Sequence, residues 1–112
     1  MGKYDLDIDE KDWKLFRKRL PEWQEAYMGK LIDEYSEILK EDTNPSDRFW
    51  KLYDRIKEDR YDSGVRLSEN SRSTMLMNIL SLIDEKAIGP DDLEGFSEEL
   101  IEQVSYRFDG EL

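Results

Sequence analysis

Apolar positions recur along the chain at helical spacing. Trp13, Phe16 and Leu20 fall three and four residues apart, the signature of one face of a helix that Asp9 can cap and that runs to about Leu20. Pro21 is expected to end it and to open the next helix, because proline suits a first helical turn. The second helix should reach about Glu41, with Trp23, Ala26, Tyr27, Leu31, Tyr35, Ile38 and Leu39 along its stripe. Gly29 inside it costs about 1 kcal/mol against alanine, which a close packing neighbour would explain. In "EDTNPSDRFW", Asn44 is the expected cap and Pro45 the first helical residue. The third helix runs to about Arg60, with Phe49, Leu52, Tyr53 and Ile56 turned inward.

Residues 61–70, "YDSGVRLSEN", carry no period and read as an ordered irregular loop that turns at Gly64. "STMLMNILSLI" is the most apolar stretch, with Met75, Leu76, Met77, Ile79, Leu80, Leu82 and Ile83 on more than one face. Such a helix belongs at the centre of a fold, or turns one face to a second chain. Gly89 and Pro90 start a short helix, with Ile88 and Leu93 spaced as a hydrophobic staple. Ser97 caps a last helix with Leu100, Ile101, Val104 and Phe108 inward. The fold class expected is therefore all-α. It is a compact single domain over residues 1–112, a bundle of about five to six helices with short loops, preceded by an acidic arm over residues 1–8.

Composition narrows the chemistry. There is no Cys and no His, which removes thiolate nucleophiles, thiolate zinc and imidazole acid–base catalysis. No apolar run reaches the ~18 residues of a membrane span, and the charged start does not read as a signal peptide. The cytoplasm is the default compartment. The net charge is −11, which nucleic-acid backbones repel. Residues 73–112 hold ten acids against only Lys86 and Arg107.

"DLDIDEKDW" opens like a calcium loop, with acids at alternate positions Asp5, Asp7 and Asp9. Such a loop then needs Gly sixth and Glu twelfth, and here those are Glu10 and Phe16. The stretch reads instead as a solvated arm leading into a capped helix, with Leu6 and Ile8 able to dock on the core. Glu98 and Glu102, like Glu37 and Glu41, share a helix face at i,i+4 spacing, but a bundle-type dimetal site also requires His. No phosphate loop or nucleophile elbow is present. No metal, no cofactor and no catalytic residue is expected. Acids in first turns and bases in last turns, including Arg17, Lys18 and Arg19, match helix dipoles.

At "PEWQEAYMGKLIDEY", "FWKLYDRIKEDR", "MLMNILSLI" and "DDLEGFSEEL" the chain resembles a group of short, acidic bacterial proteins with no established function. The resemblance covers roughly residues 12 to 105. It rests on packing-type residues, Trp23, Phe49, Trp50 and Phe96, and implies no catalytic or binding residue.

Two functional expectations follow. The first is a non-catalytic, protein-binding accessory module. Trp50 is its candidate anchor, because it lies at the edge of the third helix's stripe. The second is an acidic nucleic-acid mimic, of the kind phages encode, that blocks a basic groove of a nucleic-acid-binding protein. Its candidate residues are Asp84, Glu85, Asp91, Asp92, Glu94, Glu98, Glu99 and Glu102. In both, the partner is another protein rather than nucleic acid or a membrane. Either a monomer or a homodimer is compatible.

Overall fold

The computed structural model describes residues 9–109; the acidic arm and the docking of Leu6 and Ile8 lie outside the described residues. The secondary structure is entirely helical among them. Four α-helices have seven residues or more: α1 Glu10–Leu39, α2 Pro45–Asp59, α3 Met75–Asp84 and α4 Glu98–Val104. A four-residue helical turn, Tyr106–Asp109, follows α4. Short 3₁₀ turns at Arg72–Thr74 and Pro90–Leu93 replace what the sequence suggested was the start of α3 and a separate short helix.

Fewer helices form than the five to six expected, chiefly because Pro21 does not break α1. The residue lies inside a 30-residue helix. Proline in a helix interior removes one backbone bond and crowds the preceding turn, at about 3 kcal/mol. The buried stripe explains why the helix persists. Trp13, Phe16, Leu20, Trp23, Tyr27, Leu31 and Ile38 keep one helical phase through the proline, which itself faces solvent. The Phe16 and Trp23 rings meet edge-on across it, 6.1 Å apart. Breaking the helix would turn one side of this aromatic set out of the core. The cluster Arg17, Lys18 and Arg19 consequently sits mid-helix rather than at a C-terminus, so the dipole does not account for it.

Asp9 caps α1 as its sequence position suggests, its carboxylate accepting the Lys11 N–H at 2.8 Å. Asn44 occupies the N-cap position of α2 but makes no side-chain cap bond. The core joins the first half of α1 to the elements between Met75 and Val104. Trp13, Phe16, Leu20 and Trp23 meet Met75, Ile79, Leu82, Ile83, Ile88, Leu93, Phe96, Leu100 and Val104. Phe16, Ile79, Leu82 and Val104 are wholly buried. Ile88 and Leu93, the expected staple, both lie in this cluster. Arg19 closes its rim, donating to the backbone carbonyls of Asp92 and Glu94 and lying 5.5 Å over the Phe96 ring.

The second half of α1 leaves this core. It continues outward and α2 folds back beside it, so the two form an antiparallel hairpin arm. The extents are 56 × 28 × 22 Å and the radius of gyration is 16.9 Å, against about 13 Å for a compact chain of this length. The compact bundle expected from sequence is thus a small core with a projecting arm.

Loop residues 61–66 are pinned where the arm meets the core. Gln24 donates to the Ser63 carbonyl at 3.0 Å, and the Ser63 and Gly64 N–H groups donate to the Glu85 carboxylate at 2.9 and 3.0 Å. Gly64 lies flat against Tyr27, where a Cβ would come within 2.3 Å of the ring. The Tyr27 hydroxyl donates to Asp62 at 2.5 Å. Gly29, by contrast, has nothing within 4 Å of where a Cβ would stand, so no close neighbour accounts for it.

Candidate functional site

α2 is the element whose structure departs most from its sequence expectation. None of its fifteen residues is buried. Phe49, Tyr53 and Ile56, expected to face inward, are 63%, 49% and 45% exposed, and Trp50 is 57% exposed; only Leu52 among the apolar residues is half-covered. The reason is the arm. An inward stripe needs a third wall, and within the described chain α1 is the only helix running alongside α2 in the arm.

The hairpin has two unlike sides. On one, Arg55 reaches Glu34 at 2.7 Å and Asp59 at 3.2 Å, and Lys51 reaches Glu41 at 2.6 Å. Glu34 lies on one flank of α1, and Glu41 just past its C-terminal end. Ile32 and Leu39, seven apart, project from the opposite flank and are 59% and 50% exposed. On α2, helical phase likewise sets Phe49, Tyr53 and Ile56 opposite Lys51 and Arg55. The uncovered apolar residues of both helices therefore form one face. Its aromatic rings are ordered edge to face: Trp50 lies 5.0 Å from Phe49 and 5.6 Å from Tyr53.

Polar contacts tie the two helices together. The Tyr35 hydroxyl donates to Asp59 at 2.7 Å, and Arg55 lies 5.5 Å over the Tyr35 ring. Desolvation, reinforced by the bond to Asp59, pushes the Tyr35 hydroxyl up to about 12. Tyr27 moves the same way, by desolvation and its bond to Asp62. The Arg55 guanidinium is raised chiefly by its bond to Glu34.

Three of the eight acidic candidates make contacts within the chain. Asp84 is paired with Arg107. Glu85 holds the loop backbone, and Asp92 accepts the Gly89 N–H at 2.7 Å. Asp91, Glu94, Glu98, Glu99 and Glu102 are exposed, Glu98 and Glu99 in the first turn of α4. Among the described residues no group of three or more carboxylates is placed to hold a metal ion. Two bases near the loop are engaged: Arg72 grips Glu10 through two bonds, of 2.7 and 3.1 Å, and Arg60 lies 4.8 Å over Tyr61. Among the described residues, no helix is long and apolar enough to cross a membrane.

Sequence reading singled out Trp50 but assigned its neighbours Phe49, Tyr53 and Ile56 to a core. The missed signal was arithmetic. Both halves of a hairpin had apolar stripes, yet the later helices had too few apolar residues to cover α1 and α2 as well as each other.

Comparison with protein-family models, with curated proteins and with solved structures found no match.

Proposed function

We propose that this protein is a non-catalytic interaction module that binds another protein through the apolar face of its α1–α2 arm. The observation that carries the reading is the exposure of Phe49, Trp50, Tyr53 and Ile56 on a helix with no buried residue. Six large apolar side chains, each about half exposed, amount to roughly 600 Å² of uncovered surface, at the upper end of what monomers expose and near one side of a standard interface. Aromatic side chains clustered in this way are what interfaces use as anchors. The rest of the chain supports the same division of labour. The core end buries most of its apolar residues, with Met77 and Tyr106 exposed, and the arm presents its apolar side outward.

The acidic-mimic reading draws less support. Of its eight candidate carboxylates, Asp84, Glu85 and Asp92 already serve internal contacts.

The test is a photo-crosslinking amino acid placed at position 50, with position 106 as the control, since Tyr106 is equally exposed at 56% but lies on the core. In the native host, position 50 should trap a discrete protein adduct that position 106 does not. Equal or absent crosslinking from the two positions would remove the arm as the binding face.

A further inference from the structure

We infer that α2 is a strap that opens from α1 while the core keeps its fold, so that the apolar face of the arm exists only while the strap is closed. The opening stands on the packing of the arm alone; its consequence for binding rests on the arm being a binding face.

Core and arm are held by different forces. Phe16, Ile79, Leu82 and Val104 are wholly buried in one apolar cluster, and elements packed in this way open only with the whole molecule. α2 has no buried residue, and of its apolar side chains only Leu52 is half-covered. Its fastenings to the end of α1 are polar. Arg55 reaches Glu34 at 2.7 Å, Lys51 reaches Glu41 at 2.6 Å, the Tyr35 hydroxyl donates to Asp59 at 2.7 Å and Arg48 donates to the Leu39 carbonyl at 3.0 Å. The side chains of the two ion pairs are between 32% and 54% exposed. Water competes for partners there, and an exposed pair adds little stability.

The end of α1 depends on the same strap. Ile38 is 4% exposed yet lies outside the core cluster, and α2 is the helix alongside it. A helix of 15 residues is marginal in water by itself. α2 therefore melts as it leaves, and the last turns of α1 fray with it.

Two tethers keep the opening local. At the base of the arm, residues 62–64 stay with the core through the Tyr27–Asp62 bond and the two N–H groups that Glu85 accepts. At the tip, residues 40–44 join the helices, and Asn44 makes no side-chain cap bond to resist melting from that end. Closing the strap assembles the face, because Ile32 and Leu39 come from one helix and Phe49, Tyr53 and Ile56 from the other. A partner that touches both sets binds the closed arm alone and holds it closed.

Hydrogen–deuterium exchange of the full chain, read segment by segment by mass spectrometry, tests the opening without a partner. Residues 35–39 and 45–59 should exchange together, at least about 100-fold faster than residues 75–84. Low urea should speed their exchange only weakly, because opening the arm exposes little surface, and should speed that of 75–84 steeply. The double variant Lys51→Glu, Arg55→Glu sets like charge beside Glu41, Glu34 and Asp59. It should speed exchange over 45–59 by about tenfold or more and leave 75–84 unchanged. In the unaltered chain, about 1 M salt should act in the same direction by screening the exposed pairs. Equal protection and equal urea response in the two regions would overturn the inference, since the arm would then open only with the whole molecule. So would an α2 with no protection at all, or a double variant that speeds both regions equally. The consequence for binding is read by the position-50 crosslink, whose yield should fall in proportion to the closed fraction that exchange measures. A full yield from a variant whose strap stands open would show that the partner does not need the closed face. Absence of the crosslink from the unaltered chain would remove the arm as a binding face, and the exchange result would still decide whether the strap opens.

Discussion

Asp12 and Ser97, eighty-five residues apart, are joined by two hydrogen bonds: the Ser97 N–H donates to Asp12 Oδ1 at 2.8 Å and its hydroxyl to Oδ2 at 2.6 Å. The Ser97 hydroxyl in turn accepts the Leu100 N–H at 3.2 Å as the N-cap of α4. One buried carboxylate, 4% exposed, thus ties the first turn of α1 to the start of the penultimate helical element. Both donors lose their partner in Asp12→Ala, so that variant should lose about 2–4 kcal/mol of stability in urea unfolding. Ser97→Ala keeps the backbone bond and should lose about 1–2 kcal/mol. The double variant should lose less than the sum, because the two side chains share one interaction. Strict additivity would mean that Asp12 and Ser97 act independently.

Gly64 and Tyr27 make the second tie. A methyl group at Gly64 collides with a ring that cannot easily move, since its hydroxyl is held by Asp62. Gly64→Ala should therefore cost about 2 kcal/mol. In a Tyr27→Leu background the same change should cost under about 1 kcal/mol, because the ring is gone. An undiminished cost there would place the strain in the backbone and not against Tyr27.

These two ties show why some of the fold was legible in the sequence and some was not. The helix caps at Asp9 and Ser97 and the apolar stripe Trp13–Phe16–Leu20 depend on residues near one another in the chain, and local chemistry is readable locally. Asp12 was legible only as a first-turn acid, because its second role needs Ser97 beside it. Pro21 misled for a related reason. Its local preference is to start a helix, and the aromatic contact between Phe16 and Trp23 that overrides it is tertiary. The exposure of Phe49, Tyr53 and Ile56 was least legible of all. A periodic stripe says which residues share a face, but not whether the chain supplies anything to cover it.

Gly29 offers a change in the opposite direction. It sits inside α1 with open space where a Cβ would stand. Glycine carries extra backbone entropy in the unfolded chain and gains nothing here in return. Gly29→Ala should raise stability by about 0.5–1 kcal/mol, seen as a higher urea midpoint at unchanged slope. A loss of stability would reveal a contact or a bend that requires glycine at this position.

The arm should be sensitive to alkali. Tyrosine in an unfolded chain titrates near 10, whereas Tyr35 is pushed up to about 12 and Tyr27 is raised as well. Between pH 10 and about 12 the unfolded chain gives up these protons while the folded one keeps them. Folding stability contributed by the two hydroxyls is thus fully present below pH 10 and declines as pH rises. The urea midpoint should fall through this window, and Tyr27→Phe with Tyr35→Phe should fall less steeply over it. Parallel pH profiles for the two proteins would dissociate alkaline lability from these tyrosines.

Trp50 allows the uncovered face to be checked without any partner. Of the three tryptophans, Trp13 and Trp23 are buried in the core cluster and Trp50 is 57% exposed. Acrylamide should quench one part of the emission readily and leave the rest protected. Trp50→Phe should remove the quenchable, longer-wavelength part alone, while changing stability by no more than about 0.5 kcal/mol, as surface substitutions do. Trp13→Phe should do the reverse, leaving the quenchable part and costing stability through the lost core contact with Phe16, whose ring lies 6.2 Å away. A Trp50→Phe variant that loses 2 kcal/mol or more would mean that Trp50 is covered within the molecule. The arm would then be part of the core, and its apolar face would no longer be available to bind anything.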